Sequence, residues 1–399
     1  MMTAANSLLL CVAILLAVPV LVFFVEIVAG CVLQQRDRFA HLDGETAHRV
    51  AVLIPAHNES AGLLPTLADV KTQLRNTDRI VVVADNCTDD TSTVAAGAGS
   101  EVVERKEPGK MGKGFAIARG LQYLAADPPD ILIVIDADCR LAHDTLDKLA
   151  AACAFSGRPV QGNYIMAAPA NAPIGMRVAE FAHLVKDTVR PLGLKALGLP
   201  CQLMGTGMAF PWKVIRSVDV ASGLLIEDLK LGLDLALAGY PPEFCPSATL
   251  MSEFPSSSQG IQSQRLRWER GHLGMILLFA PRLILISIMR GNTALLAQSL
   301  DAAVPPVILL AILVVGLTLL AALTMLLNGS PTALIIGSVS TFCLFLGIFL
   351  AWFKYGRQNL PARAALAILA YVFSKLHVYG RILSSKSGSQ WTRTDRNKS

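Results

Sequence analysis

Two aspartates one residue apart follow a short apolar run near the middle of the chain. Asp136 and Asp138 come directly after residues 131–135, whose unbroken apolar character predicts a buried parallel strand. Open α/β sheets bind ligands just beyond the carboxyl ends of their strands, and carboxylate oxygens suit Mg²⁺ or Mn²⁺. The pair therefore predicts a site for one of these metals on a diphosphate, although aspartates are also common where any strand turns into a loop.

Two more acidic residues follow two other apolar runs. Residues 50–55 and 80–84 predict buried strands, and the polar segments after them contain Glu59 and Asp85. Acidic residues at adjacent strand ends converge on one crevice, where their mutual repulsion requires a counter-ion or a ligand with hydrogen-bond donors. We therefore expect Glu59, Asp85 and Asp136 to line one ligand site rather than to serve only as turn residues.

A segment rich in glycine and lysine, residues 108–114, directly precedes a predicted helix at residues 114–125 and includes Lys113. The start of a helix and a lysine side chain both suit a phosphate-bearing ligand. The spacing differs from that of a P-loop, so the segment does not predict a nucleoside triphosphatase.

Residue types suited to sugar transfer occur further along the chain. Asp228 follows a short apolar stretch and suits a general base that activates a sugar hydroxyl. Arg267 and Trp268 offer a clamp for a diphosphate and an aromatic plane for a sugar face. A Trp–Arg pair beside a membrane helix is also typical of an interface anchor, so neither residue decides the function alone.

The composition indicates a membrane protein. Of the 399 residues, 53% are hydrophobic and only 16% are charged, which is too apolar for one soluble domain of average composition. The formal charge of +5 is spread along the chain, so we expect a lipid bilayer, and no nucleic acid, as a partner. The eight cysteines show neither paired nor zinc-binding spacing and are expected to be reduced, buried side chains.

Three apolar segments are long enough to span a bilayer, at residues 8–33, 303–327 and 332–353. Arg36 and Arg38 follow the first of them, which predicts by the positive-inside rule that the next segment is cytoplasmic. The protein is therefore expected to be an integral, multi-pass protein of the inner or plasma membrane with a cytoplasmic catalytic domain.

Three other segments suit the membrane surface. In the region 271–302, residues 273–289 are apolar but are interrupted by Pro281 and Arg282, which favours an interfacial helix over a span. Residues 364–383 contain basic side chains and a short apolar core, which favours an interfacial or re-entrant helix. Residues 174–199 are amphipathic and basic, and they either frame an acceptor entrance on the membrane or form an ordinary surface helix.

Strands and helices alternate between the first and second spans, which is typical of an α/β domain with a doubly wound parallel sheet. The predicted organisation has five regions: a transmembrane helix at 1–34, a cytoplasmic α/β domain at 45–270, an interfacial region at 271–302, a transmembrane hairpin at 303–353, and an interfacial or re-entrant helix with a basic tail at 354–399.

The ordered set of motifs between residues 50 and 271 resembles the membrane-bound family-two glycosyltransferases. This family includes cellulose, chitin, hyaluronan and poly-N-acetylglucosamine synthases, and ceramide glucosyltransferases. The matching motifs are Asp136-Ala137-Asp138, Ile226-Glu227-Asp228 and Gln264-x-x-Arg267-Trp268. The resemblance implies a GT-A nucleotide-diphospho-sugar transferase domain with a mixed, mainly parallel sheet, and a single displacement that inverts the anomeric centre.

The resemblance also implies a role for each matching residue. Asp228 matches the catalytic base, although Ile226 stands where the family has Thr. Asp136 and Asp138 match the Asp-x-Asp that holds the metal, Mg²⁺ or Mn²⁺. The remaining matches concern the donor and the leaving diphosphate: Glu59 and Asp85 at the uridine base and ribose, Lys113 near the donor, and Gln264, Arg267 and Trp268 near the acceptor and diphosphate.

One loop departs from the family pattern. Where many members read Asp-Asp-Gly-Ser, this chain reads Asp85-Asn86-Cys87-Thr88, which leaves the choice of nucleotide open. The expected donor is a UDP-hexose or UDP-N-acetylhexosamine.

The sequence allows three functions, which differ in the acceptor. The first is a growing cell-surface or exopolysaccharide, and the second is a membrane lipid that receives one sugar. The third is an inactive sugar-nucleotide-binding partner of a secretion complex, against which the intact motifs argue. Three spans are few for a polymer channel unless the chain forms a homo-oligomer, and the third function requires a secretion-complex partner.

Overall fold

The computed structural model describes the backbone of residues 2–34, 39, 48–224, 226–254, 258–327 and 329–361, and the side chains of these residues except 2–5 and 258–265. The predicted helix at 364–383 lies outside the described residues. Within the described part of the chain there are eight strands: β1 Val50–Ala56, β2 Arg79–Asp85, β3 Glu101–Arg105, β4 Ile131–Val134, β5 Arg140–Leu141, β6 Val160–Ala167, β7 Met208–Pro211 and β8 Glu243–Glu253.

The same ranges contain fourteen α-helices: α1 Met2–Val32, α2 Leu64–Lys71, α3 Thr91–Gly97, α4 Lys113–Leu124, α5 Thr145–Ser156, α6 Ile174–Leu184, α7 Arg190–Ala196, α8 Trp212–Ile215, α9 Glu227–Leu237, α10 Ser258–Gly274, α11 Ala280–Met289, α12 Thr293–Ala302, α13 Val307–Leu326 and α14 Thr332–Ala351.

The chain divides into two compact units. The first, here called the sheet unit, takes in the described residues of 36–169 and 199–271. The second, the helical unit, takes in those of 1–35, 170–198 and 272–385. The predicted amphipathic segment at 174–199 forms α6 and α7, joined by a π-helical turn at Val185–Val189, and both helices belong to the helical unit.

The sheet unit is built on one eight-stranded sheet of order β3-β2-β1-β4-β7-β6-β8-β5. The pairs β1–β2, β1–β4, β2–β3 and β6–β8 are parallel. The pairs β4–β7, β5–β8 and β6–β7 are antiparallel. The predicted α/β fold with a mixed, mainly parallel sheet is therefore confirmed.

The continuous apolar runs of the central strands follow from burial on both faces of the sheet. In β1, Val52 and Ile54 enter one hydrophobic core cluster, while Ala51 and Leu53 enter another on the opposite side. Helices cover both faces, so alternate residues have no solvent-facing position to fill with polar side chains. The strands predicted at 50–55, 80–84 and 131–135 correspond to β1, β2 and β4.

Helices of the helical unit pack around a core that includes Phe23 and Ile27 of α1 and Leu344 of α14. Four helices are long and apolar enough to cross a membrane, by length and composition: Asn6–Val32, Leu266–Met289, Val307–Leu326 and Thr332–Gly356.

The second of these four helices overlaps the region predicted to be interfacial. Pro281 does not end the helix, because it stands in the first turn of α11, directly after a π-helical turn at Met275–Phe279. A proline in the first turn of a helix leaves no further N–H unsatisfied. Length and composition therefore also allow a span here, and the interfacial assignment of residues 271–302 stays a prediction.

A buried ion cluster joins three segments of the helical unit. Arg190 donates from Nε to Glu26 Oε2 at 2.6 Å and pairs through Nη2 with the carboxylate of Asp301. All three side chains are about 95% buried. Beside the cluster, a Cβ on Gly193 would lie only 1.9 Å from the carbonyl oxygen of Glu26, so the backbones of α1 and α7 cross in direct contact.

Candidate active site

The carboxyl ends of β1, β2 and β4 lie at one edge of the sheet because these strands are parallel neighbours. Asp85 is the last residue of β2, and Asp136 follows β4 by two residues. The N–H of Asp136 donates to Thr206 Oγ1 at 3.0 Å, and the N–H of Gly207 donates to the Val134 carbonyl at 3.0 Å. The loop at 205–207 is thereby held against the end of β4.

Three charged side chains surround Gly205. Lys113, the first residue of α4, forms an ion pair with Asp136 and donates to the Gly205 carbonyl oxygen at 2.7 Å. A Cβ on Gly205 would lie 3.3 Å from Asp228 Oδ2, 3.5 Å from Lys113 Nζ and 4.0 Å from Asp136 Oδ2. Gly205 also has a φ of +90°, which L side chains rarely adopt. The absence of a side chain here lets the three charged groups converge.

The electrostatics of the cluster are set by burial and by the surplus of carboxylates. Burial lowers the pKa of Lys113, but Asp136, Glu227 and Asp228 outweigh it, so its pKa lies above the ordinary value. Lys113 therefore stays charged at neutral pH. Burial, followed by the Asp228 carboxylate, raises the pKa of Glu227 to about 7.

Asp228 lies in the first turn of α9, where its Oδ1 accepts the N–H of Leu229 at 2.8 Å. Lys113, Ser222, Glu227 and Asp228 are among the residues that line a pocket beside the cluster. The carboxylate of Asp228 thus has one oxygen fixed by the backbone and the other directed towards Gly205, Lys113 and Asp136.

Asp85 is buried and bound by a residue that sequence reasoning missed. Arg105 Nη1 donates to Asp85 Oδ1 at 2.5 Å, because the parallel register pairs Asp85 of β2 with Arg105 of β3. Burial raises the pKa of Asp85, while Arg105 opposes the rise. The sequence signal for Arg105 was weak, since β3 has charged residues in three of its five positions.

The pair Asp136 and Asp138 suits a divalent metal only in part. The described residues contain no group of three His, Cys, Asp or Glu side chains arranged to hold a metal ion. Mg²⁺ commonly takes one or two carboxylates from the protein and fills its remaining positions with phosphate oxygens and water. The donor set therefore fits a metal that arrives with a diphosphate.

The other predicted site residues lie in the sheet unit as well. Glu59 follows β1, and its N–H donates to Thr91 Oγ1 at 2.9 Å. Arg267 and Trp268 lie half-buried in α10, and the side chain of Gln264 is outside the described residues. Their roles stay predictions. Gly205, Arg105 and Glu227 enter the site although sequence reasoning gave them no role.

Comparison with known proteins identifies the family. The family model for "glycosyltransferase like family 2" matches residues 48–271, which is more than half of the chain. The chain belongs to this family. An uncharacterized glycosyltransferase of Mycobacterium tuberculosis (strain ATCC 25618 / H37Rv) is 32% identical over 201 residues, which cover 44% of this chain and 85% of the relative. A protein of the same description from Mycobacterium bovis matches to the same extent.

A solved structure shares the fold. The mannosyltransferase of Pyrobaculum calidifontis, solved in complex with GDP-Man and Mn²⁺, superposes with a TM-score of 0.56 at 16% identity, over 95% of this chain and 100% of that one. At this identity the likeness concerns the fold alone. Together with the family match, it identifies the chain as a family-two glycosyltransferase with a GT-A fold, which confirms the resemblance predicted from the sequence.

Proposed function

We propose that the enzyme transfers a hexose or N-acetylhexosamine from a UDP-sugar to a growing polysaccharide, with inversion at the anomeric carbon. The observation that carries the proposal is the convergence of Lys113, Asp136 and Asp228 around Gly205. A base and a diphosphate-binding group must lie this close together, because the attacked carbon is bonded directly to the leaving diphosphate.

In this reaction Asp228 is the general base. The acceptor hydroxyl attacks the anomeric carbon while the bond from that carbon to the diphosphate oxygen breaks. The hydroxyl proton passes to the Asp228 carboxylate, and the bonding electrons leave with the diphosphate. Lys113 faces the growing negative charge on the diphosphate, where a fixed cation stabilises the transition state.

We assign the metal to Asp136 and Asp138. A bound Mg²⁺ or Mn²⁺ would neutralise charge on the leaving diphosphate. Lys113 pairs with Asp136, so this lysine and a bound metal would share one carboxylate.

The donor nucleotide is assigned to Glu59 and Asp85 at the end of the sheet. Gln264, Arg267 and Trp268 are assigned to the acceptor and the leaving diphosphate. The Pyrobaculum mannosyltransferase was solved with GDP-Man, so GDP-mannose belongs beside the UDP-sugars in any donor panel.

A lipid acceptor is the second candidate function. The described residues contain four helices able to cross a membrane, which are few to enclose a polymer path in a single chain. Transfer of one sugar to a lipid at the membrane surface needs no such path. An inactive partner of a secretion complex is disfavoured, since a scaffold has no need of Asp136, Asp138 and Asp228 together.

We further infer that the long apolar helices cross the inner or plasma membrane and that the sheet unit faces the cytoplasm. Arg36, Arg38 and Arg49 follow α1 in the sequence, and positive charge after a span favours the cytoplasmic side. The five regions predicted from the sequence are retained as part of this proposal.

The test is turnover by the full chain in lipid nanodiscs with Mg²⁺ or Mn²⁺ and radiolabelled UDP-sugars and GDP-mannose, with products resolved by size. A labelled polymer ladder supports the polysaccharide acceptor. A single labelled lipid band replaces it with the second candidate. Failure of every donor to label any product in the presence of membrane extract would overturn sugar transfer as the function.

A further inference from the structure

Asn86 directly follows Asp85 in the chain, and its side chain contacts the loop that leads to Lys113. Its φ is +52°, in the left-handed region that asparagine tolerates better than most residues. Its own N–H donates to the Arg105 carbonyl oxygen at 2.7 Å. The chain therefore turns sharply directly after Asp85, and the Asn86 side chain is directed back over the strand ends.

Both ends of the Asn86 amide are engaged. Nδ2 donates to Asp85 Oδ1 at 3.0 Å, and Oδ1 accepts the N–H of Glu107 at 2.7 Å. A carboxylate can only accept and a backbone N–H can only donate. The two partners thus fix which end of the amide is which, and no other residue of this size and shape satisfies both.

Arg105 makes the second connection to the same loop. Its Nη1 donates to Asp85 Oδ1, and its Nη2 donates to the Lys110 carbonyl oxygen at 2.8 Å. Its guanidinium also lies over the Phe115 ring, 5.3 Å from the centroid. The loop from Glu107 to Lys110 is therefore tied to Asp85 at two points, three residues before Lys113.

We infer that Asn86 is a positioning residue for the donor nucleotide, which it serves by holding the Asp85 carboxylate and the loop before α4 in one fixed arrangement. The inference rests on the proposed function, in which Asp85 contacts the nucleotide and Lys113 contacts the diphosphate. Both bonds from Arg105 and Asn86 go to Oδ1 of Asp85. The inference assigns the other oxygen, Oδ2, to the nucleotide.

The identity of the side chain at position 86 is critical in this arrangement. An aspartate there would bring a second carboxylate against Asp85, where like charges repel, and would remove the hydrogen bond that Asn86 Nδ2 donates to Asp85. The role of Asn86 thus depends on its own contacts with Asp85, Arg105 and Glu107.

The test compares UDP binding by the full chain and by two variants in nanodiscs with Mn²⁺, by calorimetry. Asn86→Asp keeps the size and adds the repulsion. Asn86→Gly keeps the left-handed backbone and removes the amide. We expect Asn86→Asp to raise the Kd for UDP and the donor KM roughly tenfold with kcat nearly unchanged, and Asn86→Gly to raise them roughly threefold.

A Kd for UDP equal to that of the wild type in Asn86→Asp would overturn the inference. A fall in kcat with an unchanged donor KM in Asn86→Asp would also overturn the inference. If Asn86→Asp fails to fold, Asn86→Gly provides the test. A Kd for UDP in Asn86→Gly equal to that of the wild type would then overturn the inference. Wild-type protein that binds no UDP would instead remove the donor assignment, and this inference with it.

Discussion

Lys113 and Asp136 form an ion pair at the carboxyl end of β4, and the carbonyl oxygen of Gly205 accepts a second hydrogen bond from the same ammonium group. The lysine is thereby held between a carboxylate that we assign to the metal and the loop next to Asp228, the proposed base. In the proposed mechanism, Lys113 therefore links diphosphate binding with metal binding.

Replacing Lys113 with methionine is expected to weaken UDP binding and to strengthen metal binding in the absence of nucleotide. The diphosphate loses a charge-assisted hydrogen bond, which corresponds to about a 10- to 100-fold rise in the Kd for UDP. Asp136 loses a competing cation, so the Kd for Mn²⁺ alone falls. Calorimetry with UDP and electron paramagnetic resonance of Mn²⁺ measure the two effects. Lys213→Met, at an exposed position on α8, is the control, and an unchanged Kd for UDP in Lys113→Met would refute the role.

Gly205→Ala tests the close approach of the three charged groups. The added Cβ would meet Asp228 and Lys113 at 3.3 and 3.5 Å, and the left-handed backbone adds strain of about 1–2 kcal/mol. We expect kcat to fall at least about tenfold, since misplacing reacting groups by a fraction of an ångström is costly.

Gly239→Ala is the matched control for this substitution. Gly239 has a φ of +93°, and a Cβ there would meet nothing within 4 Å. Both variants should lose similar stability in thermal unfolding, but only Gly205→Ala should lose activity. Equal activity in the two variants would contradict the assignment of Gly205.

The raised pKa of Glu227 predicts how stability depends on pH. Burial raises the pKa of this carboxyl from 4.5 in the unfolded chain to about 7 in the folded chain. Between these values the folded chain binds more protons than the unfolded chain, so stability falls as pH rises through this window and is level above it. Glu227→Gln removes the effect.

Thermal unfolding of the two proteins between pH 4.5 and 8.5 measures this difference. At pH 8 the Gln variant should melt on the order of 3 °C above the wild type, and the gap should close near pH 5. Parallel curves for the two proteins would show that Glu227 does not titrate as described.

The buried ion cluster of the helical unit predicts a large loss of stability for Arg190→Met. The substitution leaves Glu26 and Asp301 buried without their cation, which typically costs about 3–5 kcal/mol. The triple variant with Glu26→Gln, Arg190→Met and Asp301→Asn should regain most of this loss. Thermal unfolding in detergent compares them, and a loss of less than about 1 kcal/mol in Arg190→Met would contradict the account.

The sequence predicted the strands that are buried on both faces, because short unbroken apolar runs are typical of such strands. It missed β3, whose residues at the sheet edge include Glu101 and Arg105, and it missed the outer strands β6 and β8, which carry mixed residues. Edge and outer strands are specified by pairing with neighbours in space, which a single sequence does not display.

The candidate site shows the same contrast between features that follow from order along the chain and features that follow from proximity in space. Asp136, Asp138 and Asp228 were predicted because their motifs occur in a recognisable order along the chain. Arg105 and Asn86 were not, since their importance arises from the register that sets Arg105 beside Asp85 and from a turn with positive φ. Gly205 was given no role either, since its importance depends on which side chains lie around it.

The central claim is that Asp228 is the catalytic base. Single-turnover transfer from a radiolabelled UDP-sugar, measured with wild type and Asp228→Asn in nanodiscs alongside UDP binding, tests it most directly. The Asn oxygen can still accept the Leu229 N–H, so the fold and the Kd for UDP should be retained while transfer falls by about 10²–10⁴-fold. Transfer by Asp228→Asn at the wild-type rate would contradict the mechanism.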